Sequence, residues 1–322
     1  MEYHELSLAG VITASARGRT NLVRIDNLLT PGDAFDRFFQ PGIEELAERM
    51  INARRKERPV IWSLGAHVIK SGLSRYLIEL IKAGMITHLS GNGACSIHDF
   101  ELAFLGGTSE DVPTAIEDGS FGMWEETGSW MNEAIFAGAH EGWGYGEALA
   151  RYADKRRERF PHLEDCVFYQ AWLHGIPATY HIALGTDIIH QHPTTDFGAI
   201  GKTSQVDFLR YCYTVSQMDE GVFLNFGSSV IGPEVFLKAL SISRNLGYDT
   251  FNITTANFDL RKMDDIHRRR GYDDPDYYYR PLKNIVDRPV SRGGVGWHFT
   301  GNHVNTIPTL YALLKEKGWS LK

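Results

Sequence analysis

Five short apolar runs in this chain each stop in small or polar residues, and helical patterns alternate with them along most of the chain. Residues 60–64 (VIWSL) stop at Gly65-Ala66-His67, and residues 85–89 break at Ser90-Gly91-Asn92-Gly93-Ala94. Residues 178–184 end at Gly185-Thr186-Asp187, and residues 221–226 run into Gly227-Ser228-Ser229. The fifth, residues 250–255, breaks at Ala256-Asn257-Phe258-Asp259. Between them lie amphipathic segments such as IEELAERMINARRK and SGLSRYLIELIKA, with apolar residues at helical spacing and charges opposite. Strand-then-helix order with short connections requires a parallel sheet with crossover helices. The pattern predicts a single doubly wound, Rossmann-like α/β domain with a mostly parallel central sheet over residues 41–322. An irregular arm, residues 1–40, precedes it.

The finer expectations are these. Residues 85–89 form a strand, the Gly-rich turn follows, and a helix carries His98, Asp99 and Glu101. Residues 250–255 form a strand, Ile285-Val286 another, and the last helix begins after Pro308.

Composition excludes several function classes. The chain has 322 residues, 43% hydrophobic and 23% charged, which suits a globular domain with a large core. A net charge of −7 leaves no basic footprint for nucleic acid. Cys95, Cys166 and Cys212 are scattered with no CxxC, and read as reduced thiols. No secretory leader pattern and no run long enough for a membrane span is visible, so the expectation is a soluble, cytoplasmic protein without a membrane partner.

In an open parallel sheet, ligands bind outside the carboxyl ends of the strands. The residues expected there are Gly65, Gly91, Asn92, Gly93, Asp187, Ser228, Ser229, Thr255, Ala256 and Asp259. Together they read as a backbone-lined groove for a dinucleotide. Asp187 and Asp259 are candidates for ribose hydroxyls, or for capping their own turns. A strand, a Gly-rich turn and a helix start around Asn92 also form an anion site, with His98 and Asp99 close by.

The loop His190-Gln191-His192-Pro193 carries two histidines with Asp187 and Asp196 flanking. Such a pair binds a metal if a third ligand is found, and otherwise suits general acid/base work. No third ligand has a recognisable spacing. Lys283, in YYYRPLKNIV, is either a surface lysine or an amine whose pKa is lowered for nucleophilic or base chemistry.

These segments resemble deoxyhypusine synthase over roughly residues 60–300. Gly227-Ser228-Ser229-Val230-Ile231 is similar to that family's Gly-Gly-Gly-Val-Val turn, and residues 252–259 (NITTANFD) to its Asn-Thr-Ala…Phe-Asp segment. Residues 89–99 and 183–187 resemble two further turns of the family. Pro275-Asp276 precedes Lys283 at the spacing of the family's covalent lysine. Where the family holds a polyamine, this chain has Ile97, His98, Pro281, Leu282, Pro233 and Glu234.

The resemblance implies NAD as cofactor, transient oxidation for elimination or group transfer, and a homotetramer. It implies His98 or His190 as proton acceptor and Lys283 as carbonyl trap. Asp99, His192 and Glu234 would meet a small polar substrate of sugar or nucleoside type. Two other readings stay open: a metal-dependent hydrolase or lyase centred on His190 and His192, and a non-catalytic nucleotide-binding module.

Overall fold

The computed structural model describes residues 3–263, 266 and 271–320. The arm carries a two-residue strand, β1 (Val23–Arg24), before α1 (Ile43–Arg55), whose Leu46, Ala47, Met50 and Ile51 are buried along one stripe. Then come β2 (Val60–Leu64), α2 (His67–Lys70), α3 (Ser74–Lys82), β3 (His88–Asn92) and α4 (Gly93–Leu105). A second short strand, β4 (Gly107–Thr108), pairs antiparallel with β1 and ties the arm to the end of α4. Four helices follow: α5 (Val112–Asp118), α6 (Glu125–Glu141), α7 (Tyr145–Asp154) and α8 (Val167–Leu173). The second half runs β5 (Ala178–His181), α9 (Phe197–Ser216), β6 (Val222–Phe226), α10 (Ile231–Asn245), β7 (Thr254–Asp259), β8 (Val295–Thr300) and α11 (His303–Glu316).

Six strands form one sheet in the order β5-β3-β2-β6-β7-β8, every neighbouring pair parallel. The chain starts in the middle, builds outward through β3 and β5, returns, and builds the other half from β6. This is the doubly wound Rossmann-like order. No helix among the described residues is long and apolar enough to cross a membrane.

Several expected boundaries move. β3 starts at His88, because Met85 and Ile86 are fully buried in the loop that leads into it. Gly91 is therefore the penultimate residue of β3, paired with Leu64 and Tyr180, and no part of a turn. β7 starts at Thr254, which places Thr255 and Ala256 near its amino end, away from the carboxyl edge of the sheet. Thr255 Oγ1 donates to the Ile285 carbonyl (2.7 Å), and Ala256 is core. Ile285 and Val286 lie in a π-helical turn (Leu282–Asp287), and the sixth strand is β8 instead. α11 begins at His303 and contains Pro308 within it.

The two faces of the sheet differ. On one, Trp62, Leu64, Leu224, Phe226, Phe258 and Phe299 pack against α1, α3 and α11. On the other, Ile61 and Phe223 meet Tyr211 and Val215 of α9 and Phe236 and Leu240 of α10. Beyond that apolar rung the second face turns polar. Thr179, Ser90, Ser63, Asn225, Asn257 and His298 lie in one register row across all six strands, each buried. Asn225 Nδ2 donates to Asn257 Oδ1 (2.7 Å), and Asn257 Nδ2 bonds His298 Nδ1 (3.0 Å). His298 Nε2 in turn bonds the Arg261 carbonyl (2.7 Å).

Both rims of the sheet meet side chains. On the β5 rim, Asp207 of α9 accepts the N–H of Tyr180 (2.8 Å) and of Gly146 (3.1 Å). On the β8 rim, the Gln40 amide donates to the His298 carbonyl (2.7 Å) and accepts the Thr300 N–H (3.0 Å).

Candidate functional site at the carboxyl edge

Because all six strands are parallel, their carboxyl ends share one edge, and the winding reverses between β2 and β6. The tips are in close contact there. The Gly65 N–H donates to the Phe226 carbonyl (2.7 Å), and a Cβ on Gly65 would lie 2.5 Å from the Gly227 carbonyl oxygen. Gly227 has φ +68°, and a Cβ on it would lie 2.6 Å from His303 Nε2. Only glycine permits this approach at both positions.

Ser228 accepts the Gly232 N–H on its Oγ (2.9 Å), so it caps the first turn of α10. Ser229 is exposed. Asp259, at the β7 tip, accepts from the Tyr279 hydroxyl (2.5 Å) and from the Leu260 N–H (2.7 Å). Two buried atoms beside this crevice have no partner among the described residues: Asn225 Oδ1 and His303 Nδ1. Burial pushes the His303 imidazole down to about 4, so the ring is neutral.

Next to the crevice, at the β3 and β5 tips, lies a cleft of about 230 Å³. Its polar lining includes Lys70, His98, Glu110 and Asp187, and its apolar wall includes Ile97 and Phe121. Asn92 accepts the Cys95 N–H (3.0 Å) and caps α4, which sets His98 in the second turn, over the cleft. His98 Nδ1 lies 2.7 Å from Thr108 Oγ1, and Thr108 Oγ1 donates to Glu101 Oε2 (2.5 Å). Glu101 is paired with Arg19 of the arm through two bonds of 2.8 Å, both side chains almost fully buried. Thr127 donates to the same carboxylate (2.9 Å). Burial pulls the His98 pKa down to about 4, partly opposed by Glu101. Gly65 of the crevice leads directly into α2, whose last residue, Lys70, lines the cleft, so the two adjoin.

Asp187 and His190 form a closed pair in the loop after β5. His190 Nδ1 accepts the N–H of Gly185 and of Asp187 (3.1 Å each), and the Asp187 side chain accepts the His190 N–H. His190 Nε2 and Asp187 Oδ2 lie 3.9 Å apart, both buried, neither with a hydrogen-bond partner among the described residues. Burial raises Asp187 to about 6 and lowers His190. The Asp187 carboxylate rests on Gly93, where a Cβ would collide with it.

Other candidates lie elsewhere. Asp99 is fully buried and accepts from the N–H groups of Val167 (3.0 Å) and Phe168 (2.9 Å), so it caps α8 and does not reach the cleft. Burial holds it at about 6 despite those bonds. His192 bonds Thr194 (2.8 Å) and approaches Glu125 (3.4 Å), against Gly128 of α6. Among the described residues no group of three or more His, Cys, Asp or Glu is placed to hold a metal. Glu234 is held by Lys238, by Arg280 (2.9 Å) and by Asn284 (3.1 Å). Lys283 Nζ sits 4.0 Å over the Tyr277 ring, and desolvation with Arg288 and Arg280 nearby lowers its pKa.

Sequence reasoning missed Arg19, Lys70, Thr108, Glu110 and His303. Arg19 lies in an arm segment whose only signal is its polar, Arg-rich character, and its partner is 82 positions away.

No protein-family model and no curated protein matches the sequence. Solved structures do resemble it. A conserved putative LOR/SDH protein from Methanococcus maripaludis S2 superposes with a TM-score of 0.51 and 15% identity, over 90% of this chain and 74% of its own. AgrE in its ternary complex with ornithine and NAD+ gives 0.50 and 15%, over 86% of this chain and 33% of its own. A mutant AgrE with L-arginine gives 0.51 and 14%, over 87% and 34%. This chain thus spans about a third of the length of AgrE. What is shared is the fold.

Proposed function

We propose that this chain is an NAD-dependent enzyme that holds the dinucleotide across the β2/β6 crevice and its substrate in the adjoining cleft. The observation that carries the reading is the reversal of winding between β2 and β6, with glycine backbone bare on both sides of it. The binding of NAD+ by AgrE, which has a similar fold, supports it. The residues fit the cofactor in an unusual arrangement. The first strand's turn is Gly65-Ala66-His67 and lacks a GxGxxG, while the turn after β6 carries Gly227 followed by two serines.

Gly227, Ser228 and the start of α10 would hold the diphosphate, and Asp259 a ribose. Bound NAD supplies a hydride acceptor. His98, neutral at pH 7 and facing the cleft, takes the proton released with the hydride. The resemblance to deoxyhypusine synthase supports transient oxidation, followed by elimination or group transfer on a small polar, hydroxyl-bearing molecule. It also supports a homo-oligomer. Lys283 shares no contact with His98 or His190, so its part as carbonyl trap rests on the resemblance.

Mass spectrometry of the ligand released on denaturation, with calorimetric titration of NAD, tests the reading. The expected result is one dinucleotide per chain and at least tenfold weaker binding in Gly227→Ala, where a Cβ would meet both His303 and an unfavourable φ. A bare protein that ignores added NAD would end it. The His98→Gln variant separates an enzyme from a binding module, since only an enzyme loses NAD reduction while keeping NAD affinity.

A further inference from the structure

We propose that Thr108, Glu101 and Arg19 are positioning residues that fix His98 as a single tautomer, protonated on Nδ1, so that a bare Nε2 receives the substrate's hydroxyl proton. The assignment follows from counting hydrogens. Thr108 Oγ1 carries one proton and stands between Glu101 Oε2 (2.5 Å) and His98 Nδ1 (2.7 Å). Glu101, paired bidentately with Arg19, offers only acceptors along this chain. If the Thr108 proton turned toward the imidazole, two oxygen acceptors would face each other at 2.5 Å with nothing between them. The proton therefore goes to Glu101, and the free lone pair of Oγ1 takes the Nδ1–H. Nε2 is left without a proton and has no partner among the described residues, on a ring that lines the cleft.

Each member is held from a separate direction. Thr108 is paired to Val23 of the arm through the β1–β4 ladder, and Glu101 is gripped by Arg19 from the same arm and by Thr127 from α6. The Arg19 guanidinium also lies 5.3 Å from the Trp124 ring centroid. The arm is thus part of the site's machinery, although it contributes no group to the reacting atoms.

The inference rests on the reading of His98 as the proton acceptor of an NAD-dependent oxidation. In that step the hydroxyl proton would move to Nε2 while bound NAD would supply the acceptor for the carbon's hydride, leaving a carbonyl. The resulting imidazolium still directs its Nδ1–H at Thr108, so no ring flip is needed to return the proton.

Nitrogen-15 NMR of histidine-labelled full-length protein tests the tautomer without NAD or substrate. The His98 signals are assigned by their loss in His98→Gln. The expected spectrum shows a protonated Nδ1 and a bare Nε2 in the wild type, a mixture in Thr108→Val, and recovery in Thr108→Ser. A protonated Nε2 in the wild type, or a Thr108→Val spectrum identical to it, overturns the proposal. With NAD bound, Thr108→Val should lower kcat at least tenfold with KM unchanged, and Thr108→Ser should restore it. An unchanged kcat in Thr108→Val also overturns the positioning role. A correct tautomer in a protein that never binds NAD would leave the hydrogen-bond chain intact and remove the enzymatic reading alone.

Discussion

The two faces of the central sheet, one residue apart along the same strands, are built for different ends. On one side Trp62, Phe226, Phe258 and Phe299 stack across four strands, with centroid spacings of 4.6, 4.4 and 4.9 Å. On the other, Asn225, Asn257 and His298 of three of these strands pass hydrogen bonds sideways toward Arg261. Both rows are buried, yet only one gains from burial alone. The aromatic row stabilises through apolar area and stacking. The polar row is costly unless each member stays bonded. The difference teaches that apolar stacking and a buried hydrogen-bonded polar row are carried on opposite sides of one backbone.

This division can be broken at either side. The largest effect is expected for Phe258→Ala, which removes the centre of the aromatic stack and should cost about 3–5 kcal/mol in urea unfolding, with NAD affinity of the folded fraction unchanged. Asn257→Ala leaves Asn225 Nδ2 and His298 Nδ1 short of a partner and should cost about 1–3 kcal/mol. It should also weaken NAD binding, since Asn225 lies beneath the α10 start, and equal NAD affinities in the two variants would erase the contrast.

The smallest effect is a difference in pH dependence. Burial lowers His298 below its ordinary 6.5, and it lowers His88 and His181 on the same face to about 3. The unfolded chain therefore takes up these protons first. Their contribution is present above pH 6.5 and is lost as pH falls toward the folded values. Replacing His298 by Gln should flatten the loss of unfolding free energy, read from urea unfolding between pH 7 and 5, by at most about 1.4 kcal/mol per pH unit, the slope for one proton. An unchanged slope would mean that His298 is not held neutral by the row.

Sequence pattern made the parallel winding legible because apolar strands such as VIWSL and VFLNF are buried on both faces and punctuated by glycine. It mistook Ile285-Val286 for a strand, since two β-branched residues in a buried π-turn have the same composition as a short strand. It missed β8 because Gly296 and His298 interrupt the apolar run. The carboxyl-edge positions of Gly65, Ser228 and Asp259 were legible because apolar runs end there, while Asp187 falls in the loop beyond β5. The pairing of Arg19 with Glu101 was not legible, because it joins residues far apart in the sequence. Asp99 read as a site residue because a helix-start carboxylate looks alike whether it meets a ligand or caps another helix.

The side chains at the sheet's two rims bear on assembly. With Asp207 occupying an amide of β5, and Gln40 occupying both a carbonyl and an amide of β8, neither margin offers a free run of backbone to an incoming strand. Any strand pairing along either margin would first have to displace these side chains.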